Sequence, residues 1–443
     1  MFFQFPLELQ QQCVQSLDVA TLKSFRTVSK RALPLATEVL FDTVNLLPTN
    51  ASAAKYSHIL NNAQLNPLVR RAIFNTSDPA VLDRRGDPEF LDSFKDAMCS
   101  MTRFRHLKNV ELKFAGACGR HGPWAFLVLE SNVFRVCVLK AFFAGLEPII
   151  QLESLTIKNL QVGTHESVYN WDSFQSVISK VKRLHLQIAS ETLNHQGRYR
   201  EFRHAQHFFQ ADLAPRWLQP THAQLTHLTL YAGQMKWGFW PSCDLRSIHF
   251  PALKSLALGN WTIVHEWQIE WLLSHGSTLV ELVPDDCPIV TALMMNDQQI
   301  TLHWPDLPNL CQRGGGHYFK EVALRWHHAL PRFQSALPRL CYFAMGRGDW
   351  VAQTMFEDRY DMLTRCHWGR YCMFDRGKLT PGDGVAPRSG DSSKGPPIRK
   401  LRFEIGDPND WKEDVAFPTC DEEDTEALAS LLASVEKRAR AKV

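Results

Sequence analysis

The sequence lacks paired cysteines, a long apolar run and a charged leader segment. Eleven cysteines are spread along 443 residues without a Cys-x-x-Cys pair. An odd cysteine count in a chain of this length disfavours a disulfide framework and predicts reduced, mostly buried thiols in the cytosol or the nucleus. No window approaches the roughly 20 apolar residues of a membrane span. Residues 1–6 carry no positive charge and are not typical of a signal peptide.

Charge of one sign is not concentrated in the sequence either. The 49 Lys and Arg residues and the 46 Asp and Glu residues leave a net charge of +3. The densest basic run, residues 437–442, ends a predicted helix, where cations complement the helix dipole. Nucleic-acid-binding proteins more often show a basic stripe. We therefore expect neither a nucleic acid nor a membrane as a partner.

Motifs typical of nucleotide-binding, catalytic or metal-binding sites are missing as well. The sequence contains no P-loop, no Gly-x-Ser-x-Gly elbow and no His-Glu-x-x-His. His204 and His207 lie three residues apart on a predicted helix, but a zinc site needs three or four ligands and no third is nearby. Asp285 and Asp286 are typical of a turn. We expect no catalytic residue, no cofactor and no metal, and keep an unrecognised enzyme as the minor alternative.

What is present at the start of the chain predicts three short helices. Pro6 suits a first helical turn, and Asp18 and Ser29 are suited to cap the second and third helices. The apolar positions are Leu9, Cys13 and Leu17, then Leu22 and Phe25, then Leu33, Ala36 and Leu40. About 40 residues rarely bury enough apolar surface to fold alone. The segment is therefore predicted to be an interaction module.

The same segment resembles an F-box. The matching phrases are residues 5–9, 17–22 and 25–31, followed by Ala36 and then Leu40–Phe41. The family opens with Leu-Pro-x-Glu-Leu, and here Phe5 stands in place of the first leucine. The tryptophan found near the end of many members is missing. The resemblance implies a three-helix module that docks on the Skp adaptor of an SCF-type cullin-RING ubiquitin ligase.

Carrying the family pattern over by position gives a set of adaptor-binding residues. They are Pro6, Leu7, Leu9, Leu17, Leu22, Val28 and Leu33. The alternative is that these apolar side chains pack inside the chain's own core, and some must be internal in either case.

A phrase of the form apolar-x-x-apolar-x-apolar recurs beyond the first hundred residues. Copies begin at residues 107, 152, 181, 225, 253 and 279, which are 45, 29, 44, 28 and 26 residues apart, and weaker copies begin at 340 and 398. The last two apolar positions face the same side of a strand. This is the leucine-rich-repeat signature, whose regular period is 20–29 residues. The long gaps hold either a degenerate copy or an insertion.

Helical patterns fall between these phrases, for example at residues 171–178 and 267–275. Strand followed by helix, repeated, predicts an irregular α/β solenoid with a strand-lined concave surface. The polar residues expected on that surface are Thr226, His227, Thr229, Lys254 and Ser255. The alternative is a compact α/β domain. A final helix with Leu428, Leu431, Leu432 and Val435 on one face is expected to cap the solenoid.

The predicted organisation has four parts: an F-box at 1–45, an irregular leucine-rich-repeat-like solenoid at 46–375, a linker rich in Gly, Pro and Ser at 376–397, and a final strand with a capping helix at 398–443. Phrases within 250–288, 325–328 and 356–360 are similar to those of fungal F-box proteins with this layout. The resemblance implies a non-enzymatic substrate-recognition subunit of the ligase, in the cytoplasm or nucleus, with a target protein that the sequence does not name. The alternative function is a leucine-rich-repeat scaffold that acts outside a ubiquitin ligase.

Overall fold

A computed structural model divides the chain into two compact units. Unit 1 comprises Met1–Leu160 and His165–Arg183, and unit 2 comprises Gln161–Thr164 and Leu184–Val443. The structure describes residues 2–77, 91–116, 130–162, 166–189, 203–233, 235–347, 360, 362–382, 399–405 and 411–442.

Unit 1 alternates helices and strands after three consecutive helices. The helices are α1 (Leu7–Gln15), α2 (Val19–Val28), α3 (Ala32–Asp42), α4 (Asn50–Asn61), α5 (Asp92–Cys99), α6 (Asn132–Leu146), α7 (Glu166–Tyr169) and α8 (Asp172–Lys180). The strands are β1 (Thr43–Leu46), β2 (Arg71–Asn75), β3 (Asn109–Lys113) and β4 (Ser154–Gln161). Each strand pairs in parallel with the next one along the chain. The predicted boundary at residue 45 falls inside β1.

The leucine phrases form the buried side of these strands. Val110 and Leu112 of β3 are 2% and 0% exposed, and Leu155 and Ile157 of β4 are both 0% exposed. Because parallel neighbours need a crossover connection, a helix follows each strand and packs on this apolar side. β3 pairs directly with β4, so the 45-residue gap between their phrases carries additional chain and no further strand of the series.

Unit 2 continues the series of strands, but the described residues between its strands His227–Ala232 and Ser255–Gly259 contain no helix, and the chain leaves the series after the strand Glu281–Asp285. Its helices are α9 (Arg203–His207), α10 (Glu266–Leu273), α11 (Asp297–His303), α12 (Trp326–Ala336) and α13 (Asp421–Arg440), and a π-helix spans Phe208–Leu218. Its strands are β5 (Arg183–Ala189), β6 (His227–Ala232), β7 (Ser255–Gly259), β8 (Glu281–Asp285), β9 (Ile289–Asn296), β10 (Cys311–Gly314), β11 (His317–Glu321), β12 (Tyr342–Phe343), β13 (Tyr371–Asp375), β14 (Lys378–Pro381), β15 (Lys400–Glu404) and β16 (Lys412–Ala416). Short 3-10 helices span Phe2–Gln4, Asn66–Leu68, Ser100–Arg103, Gln219–Thr221 and Trp368–Arg370 in the two units.

The phrases of unit 2 also lie on consecutive strands. The strand order is β5-β6-β7-β8-β12, and the pairs from β6 to β12 are parallel. In the phrase that begins at residue 279, Pro284 takes the place of the last apolar residue, and it still lies within β8, paired with Leu258. The chain is therefore mixed α/β, and its parallel strands follow one another in sequence order within each unit. In the described part of the chain, no helix combines the length and apolar character needed to cross a membrane.

A second sheet in unit 2 was not predicted. Its order is β10-β11-β9-β13-β14, with only β9 and β13 parallel. The phrase beginning at residue 398 was wrongly assigned to the repeat series, because β15 pairs antiparallel with β16 in a separate hairpin. The predicted linker also begins too early, since Arg376 and Gly377 make the turn between β13 and β14. Residues 383–397 of that linker lie outside the described residues.

Asparagine residues near the ends of two strands fasten these strands to their neighbours. Asn260, which follows β7, has a left-handed backbone with φ of 61°. Its buried Nδ2 donates to the Ala232 carbonyl at the end of β6, at 2.7 Å, and its backbone N–H donates to the Asp285 carbonyl of β8, at 2.9 Å. In unit 1, Asn159 has the same backbone conformation, and its Nδ2 donates to the Phe114 carbonyl at 2.8 Å. Asparagine suits these positions because it tolerates this conformation and carries a donor.

Replacing Asn260 tests this fastening. Asn260→Ala should lower the free energy of unfolding by about 1–3 kcal/mol, because it leaves a buried carbonyl unsatisfied and strains the backbone. Asn260→Gly should lose less, because glycine adopts the left-handed conformation without strain. Urea denaturation at pH 7 measures both. A stability for Asn260→Gly equal to that of the wild type would show that the hydrogen bond contributes nothing.

Candidate functional site

The three N-terminal helices enclose a small core of their own. Val14, Leu22 and Ala36 are buried there, at 1%, 4% and 0% exposure. Partly buried side chains surround them, namely Phe2, Leu17, Phe25, Leu35, Val39 and Leu40. The predicted capping residues both act: Asp18 accepts from the Thr21 N–H at 2.9 Å, and the Ser29 hydroxyl accepts from the Ala32 N–H at 3.1 Å.

Apolar side chains are exposed on this module to an unusual degree. Among the described residues, eleven large hydrophobic side chains are exposed, and six of them lie between residues 5 and 33. These six, here named the module's exposed apolar set, are Phe5, Leu7, Leu9, Val19, Val28 and Leu33, with exposures from 45% to 68%. Single exposed hydrophobic side chains are ordinary, whereas a concentration of them marks an interaction surface.

The residues predicted to bind the adaptor divide into two groups. Pro6, Leu7, Leu9, Val28 and Leu33 are exposed. Leu17 is half-buried, and Leu22 lies in the core of the module, where no partner can contact it without opening the helices. Phe5 and Val19 are exposed but are not in the predicted set, although both lie within the phrases that carry the F-box resemblance.

Truncating one residue of each group separates the core from the surface. Leu22→Ala should destabilise the module by about 2–5 kcal/mol, because it removes a buried side chain from a small core. Leu9→Ala should change stability by no more than about 0.5 kcal/mol, because its side chain is already in water. Hydrogen exchange of the backbone amides in α1–α3 of the full-length chain measures both. Equal protection losses would contradict the division into core and surface.

The parallel strands of unit 2 have a second face, opposite the leucines. This strand face is formed by alternate residues in three rows: His227, Ser255, Glu281 and Tyr342; then Thr229, Ala257, Val283 and Ala344; then Tyr231, Gly259, Asp285 and Gly346. Three of the five polar residues predicted for the concave surface lie in these rows. The other two, Thr226 and Lys254, precede β6 and β7.

The centre of the strand face is apolar, whereas polar residues were predicted along it. Tyr231, Ala257, Val283 and Ala344 form a buried cluster together with Met362. Thr229 and Ser255 are 1% and 4% exposed, and Thr229 Oγ1 lies 2.8 Å from His185 Nδ1. The phrases fix which residues face away from the leucines, but Met362 is distant in sequence and reaches this face only in the folded chain.

The corresponding side of the unit 1 strands carries charges. Arg71 of β2 and Lys158 of β4 flank Glu111 of β3, with N–O distances of 2.5 and 2.7 Å. Burial raises the pKa of Glu111, but the two cations outweigh burial and hold that pKa below its ordinary value. This carboxylate is therefore ionised and paired at neutral pH.

A buried ionic cluster joins α13 to the rest of unit 2. Asp424 of α13 is 0% exposed. It accepts from Arg370 Nε at 2.8 Å, from the Tyr371 hydroxyl at 2.8 and 3.0 Å, and from the His327 N–H at 2.9 Å. The last bond satisfies a free N–H in the first turn of α12. Burial raises the pKa of Asp424, but the bonds from Arg370 and Tyr371 outweigh burial and lower it overall.

The same cluster brings together side chains that could hold a metal. Ligand atoms of His327, Cys420 and Asp424 lie within 4.8 Å of one another. The Arg370 guanidinium, however, already supplies a positive charge 2.8 Å from the Asp424 carboxylate, and a metal bound there would be repelled by it. The arrangement fits a structural ion pair that docks α13 on the 3-10 helix Trp368–Arg370 better than it fits a metal centre.

Removing the Asp424 charge tests this docking. Asp424→Asn should destabilise the protein by about 3–5 kcal/mol at pH 7, because Arg370 stays buried without its main counter-charge. The folded pKa lies below the ordinary value of 3.8, so the stabilisation is complete above that value and is lost as the pH falls through the lowered pKa. Urea denaturation at pH 7 and at pH 3 should therefore show a smaller difference between variant and wild type in acid.

Asp414→Asn serves as the matched control for this variant. Asp414 pairs with Lys400 and Arg402 on the β15–β16 hairpin, where all three side chains are solvent-accessible. Exposed ion pairs contribute little to stability. A similar loss in both variants would show that the burial of Asp424 has no special role.

One serine–histidine pair in unit 2 resembles a catalytic arrangement only superficially. Ser242 Oγ lies 3.4 Å from His303 Nδ1. The Gln210 amide nitrogen lies closer to that ring nitrogen, at 2.5 Å, and also 2.7 Å from Ser242 Oγ. A general base needs its nitrogen free to take the serine proton, and here the amide donor competes for it.

Comparison with known proteins adds no family to this description. No protein-family model matches the chain, and no curated protein is significantly similar to it. The F-box resemblance therefore rests on the sequence itself, namely on the motifs of the first 45 positions and on the phrases within 250–288, 325–328 and 356–360.

Proposed function

We propose that the protein is a substrate-recognition subunit of an SCF-type cullin-RING ubiquitin ligase. Its first three helices would dock on the Skp adaptor, and its repeat region would hold a target protein. The observation that carries the proposal is the module's exposed apolar set, six of the eleven exposed large hydrophobic side chains in the described residues. Burying such side chains against a partner contributes up to about 1.5–3 kcal/mol for each.

The strand arrangement supports the proposal for the rest of the chain. Parallel strands in sequence order, each carrying a leucine phrase, are what a leucine-rich repeat produces. The repeat consensus also places Asn or Cys just after the strand. Cys287 occupies this position in the phrase that begins at residue 279, and its Sγ donates to the Leu258 carbonyl at 3.2 Å. Asn260 lies one position before the consensus place in its own phrase and bonds back to the preceding strand. We therefore interpret this region as leucine-rich-repeat-like, with α13 as its terminal cap.

A subunit of this kind acts through proximity. It would hold target and ligase in one complex, raising their effective concentration, while ubiquitin transfer is catalysed by other subunits. Such a role requires two separate protein-binding surfaces and no catalytic side chain. The compartment would be the cytosol or the nucleus, where the ligase and reduced cysteines are found together.

A pull-down against the Skp adaptor tests the proposal. Wild type should bind, and Leu7→Asp/Leu9→Asp should lose at least about tenfold in affinity, because two buried apolar contacts become charged. Both substitutions lie in the first turn of α1, where acidic side chains favour the helix dipole. The helix should therefore persist, and circular dichroism checks that it does.

The matched control introduces the same charges at exposed apolar positions outside the module. Val133 and Ile150 are 74% and 91% exposed, so Val133→Asp/Ile150→Asp should bind the adaptor like the wild type. Failure of the folded wild type to bind would overturn the ligase proposal. The protein would then be best described as a leucine-rich-repeat scaffold that acts outside a ubiquitin ligase.

A further inference from the structure

Three turns of unit 2 meet at the carboxyl ends of β8 and β12. Asp286 directly follows β8, and its N–H donates to the Gly346 carbonyl at 2.8 Å. Arg347 follows Gly346, and its guanidinium carbon lies 4.3 Å from the centre of a Trp368 ring. Trp368 begins the 3-10 helix that leads into β13. The carboxyl ends of parallel strands are common places for ligands in α/β proteins.

The Arg347 guanidinium is held in place, and its two outer nitrogen atoms remain available. Its Nε lies 3.6 Å from Asp286 Oδ2, and a Trp368 ring lies against it. Within the described part of the chain, neither Nη1 nor Nη2 makes a hydrogen bond to another residue. The side chain is 34% exposed, so a ligand can reach it from solvent. A guanidinium presents parallel N–H donors that match the oxygens of a carboxylate.

His367 places a buried polar atom next to this arginine. The residue is 4% exposed, and its Nδ1 is buried without a hydrogen-bond partner. Burial is the largest influence on this side chain and lowers the pKa of His367 to about 4, so the ring is neutral at pH 7. A neutral imidazole carries its proton on either nitrogen, so Nδ1 can donate to an oxygen. A buried polar atom without a partner is costly, and this one therefore points to a bound group.

A small space beside Gly369 adjoins both groups. A Cβ atom added to Gly369 would lie 3.5 Å from Arg347 Nη1 and 3.5 Å from His367 Nδ1, which are ordinary contact distances. Both nitrogen atoms therefore border the same space, which accommodates a methyl group or the oxygen of a ligand. We name Arg347, His367 and Gly369 the turn site.

The charges around the turn site favour a ligand with a single negative charge. Lys236 Nζ lies 3.1 Å from Asp286 Oδ1, so Lys236 and Arg347 share this carboxylate. The Asp286 carboxylate approaches Arg347 at Nε, on a different nitrogen from the one that borders Gly369. A second carboxylate, that of Asp285, belongs to the residue paired with Gly346. Two carboxylates nearby disfavour a phosphate monoester, which carries close to two negative charges.

We propose that the turn site binds a carboxylate group of a peptide, which accepts hydrogen bonds from Arg347 and from His367 Nδ1. The inference rests on the proposed function in one respect, since it assigns the peptide to the target protein. An acidic side chain and a free C-terminus offer the same carboxylate chemistry, and the experiment below separates these two sources.

A titration of the full-length chain, labelled with ¹⁵N-histidine, tests the site with sodium acetate as the probe. Acetate replaces chloride at constant ionic strength and pH 7, and the ring nitrogen resonances are recorded by NMR. The His367 Nδ1 resonance, identified by its loss in His367→Gln, should shift until the site is saturated. Arg347→Gln should weaken acetate binding at least about tenfold, because a charge-assisted hydrogen bond is lost. Gly369→Ala should abolish the shift, because the methyl group takes the place of the ligand oxygen.

Arg246→Gln is the matched control. The Arg246 guanidinium carbon likewise lies over a tryptophan ring, that of Trp267, at 5.4 Å. Its nitrogen atoms, however, are already paired with Asp244 and Asp306, at 2.7 and 2.8 Å. This variant should therefore titrate like the wild type. Circular dichroism checks that every variant is folded, and Gly369→Ala tests the site with all of its charged groups retained.

Three blocked tripeptides then identify the source of the carboxylate: one with a free C-terminus, one with a glutamate side chain and an amidated C-terminus, and one without any carboxylate. One of the first two should shift the His367 resonance, and the third should not. The inference is overturned if acetate produces no saturable shift, if folded Gly369→Ala responds like the wild type, or if the third peptide acts like the others. Tighter binding of sodium phosphate than of acetate would overturn the choice of a carboxylate. The adaptor pull-down is independent of this titration, so either proposal can fail alone.

Discussion

Parallel pairing between consecutive strands, with a row of leucines buried on one side, is the constraint on which both units depend. Leu228, Leu256 and Leu282 lie in one register across β6, β7 and β8. Parallel strands require a crossover after each strand, and the apolar side requires a helix to cover it. The helices that follow most of these strands meet the two requirements, whereas the described part of the connection between β6 and β7 contains no helix. The second sheet forms only where the chain leaves this alternation after β8.

The same pairing determines what the other side of the strands can do. Side chains alternate across a strand, so burying the leucines presents a second set of residues in straight rows. In unit 1 that set carries the paired charges around Glu111. In unit 2 its centre is small and apolar, with Ala257, Gly259 and Gly346 in or near it. Met362, from a distant part of the sequence, packs on this surface.

Buried polar groups hold the ends of this arrangement. Asn260 ties β7 to β6. Asp424 ties α13 to α12 through His327 and to the 3-10 helix Trp368–Arg370 through Arg370. Each of these groups is removed from water and would destabilise the fold if it were left without a partner. The hydrogen bonds of these groups fix one relative placement of the elements that they join, whereas apolar contacts tolerate several.

The sequence by itself determined the three N-terminal helices with their caps at Asp18 and Ser29, and the strands that carry leucine phrases, because both signals are local and periodic. Strands β1 and β2 were not assigned to the repeat, although residues 41–46 and 69–74 have the apolar spacing of the phrase. The second sheet was missed because β9 pairs with β11 and with β13 across long separations. Only the tertiary structure decided that Leu22 is internal while Leu7 and Leu9 are exposed. It also placed Met362 in one cluster with Val283, and Asp424 beside Arg370. These contacts join residues that are distant in sequence, so a local sequence pattern does not predict them.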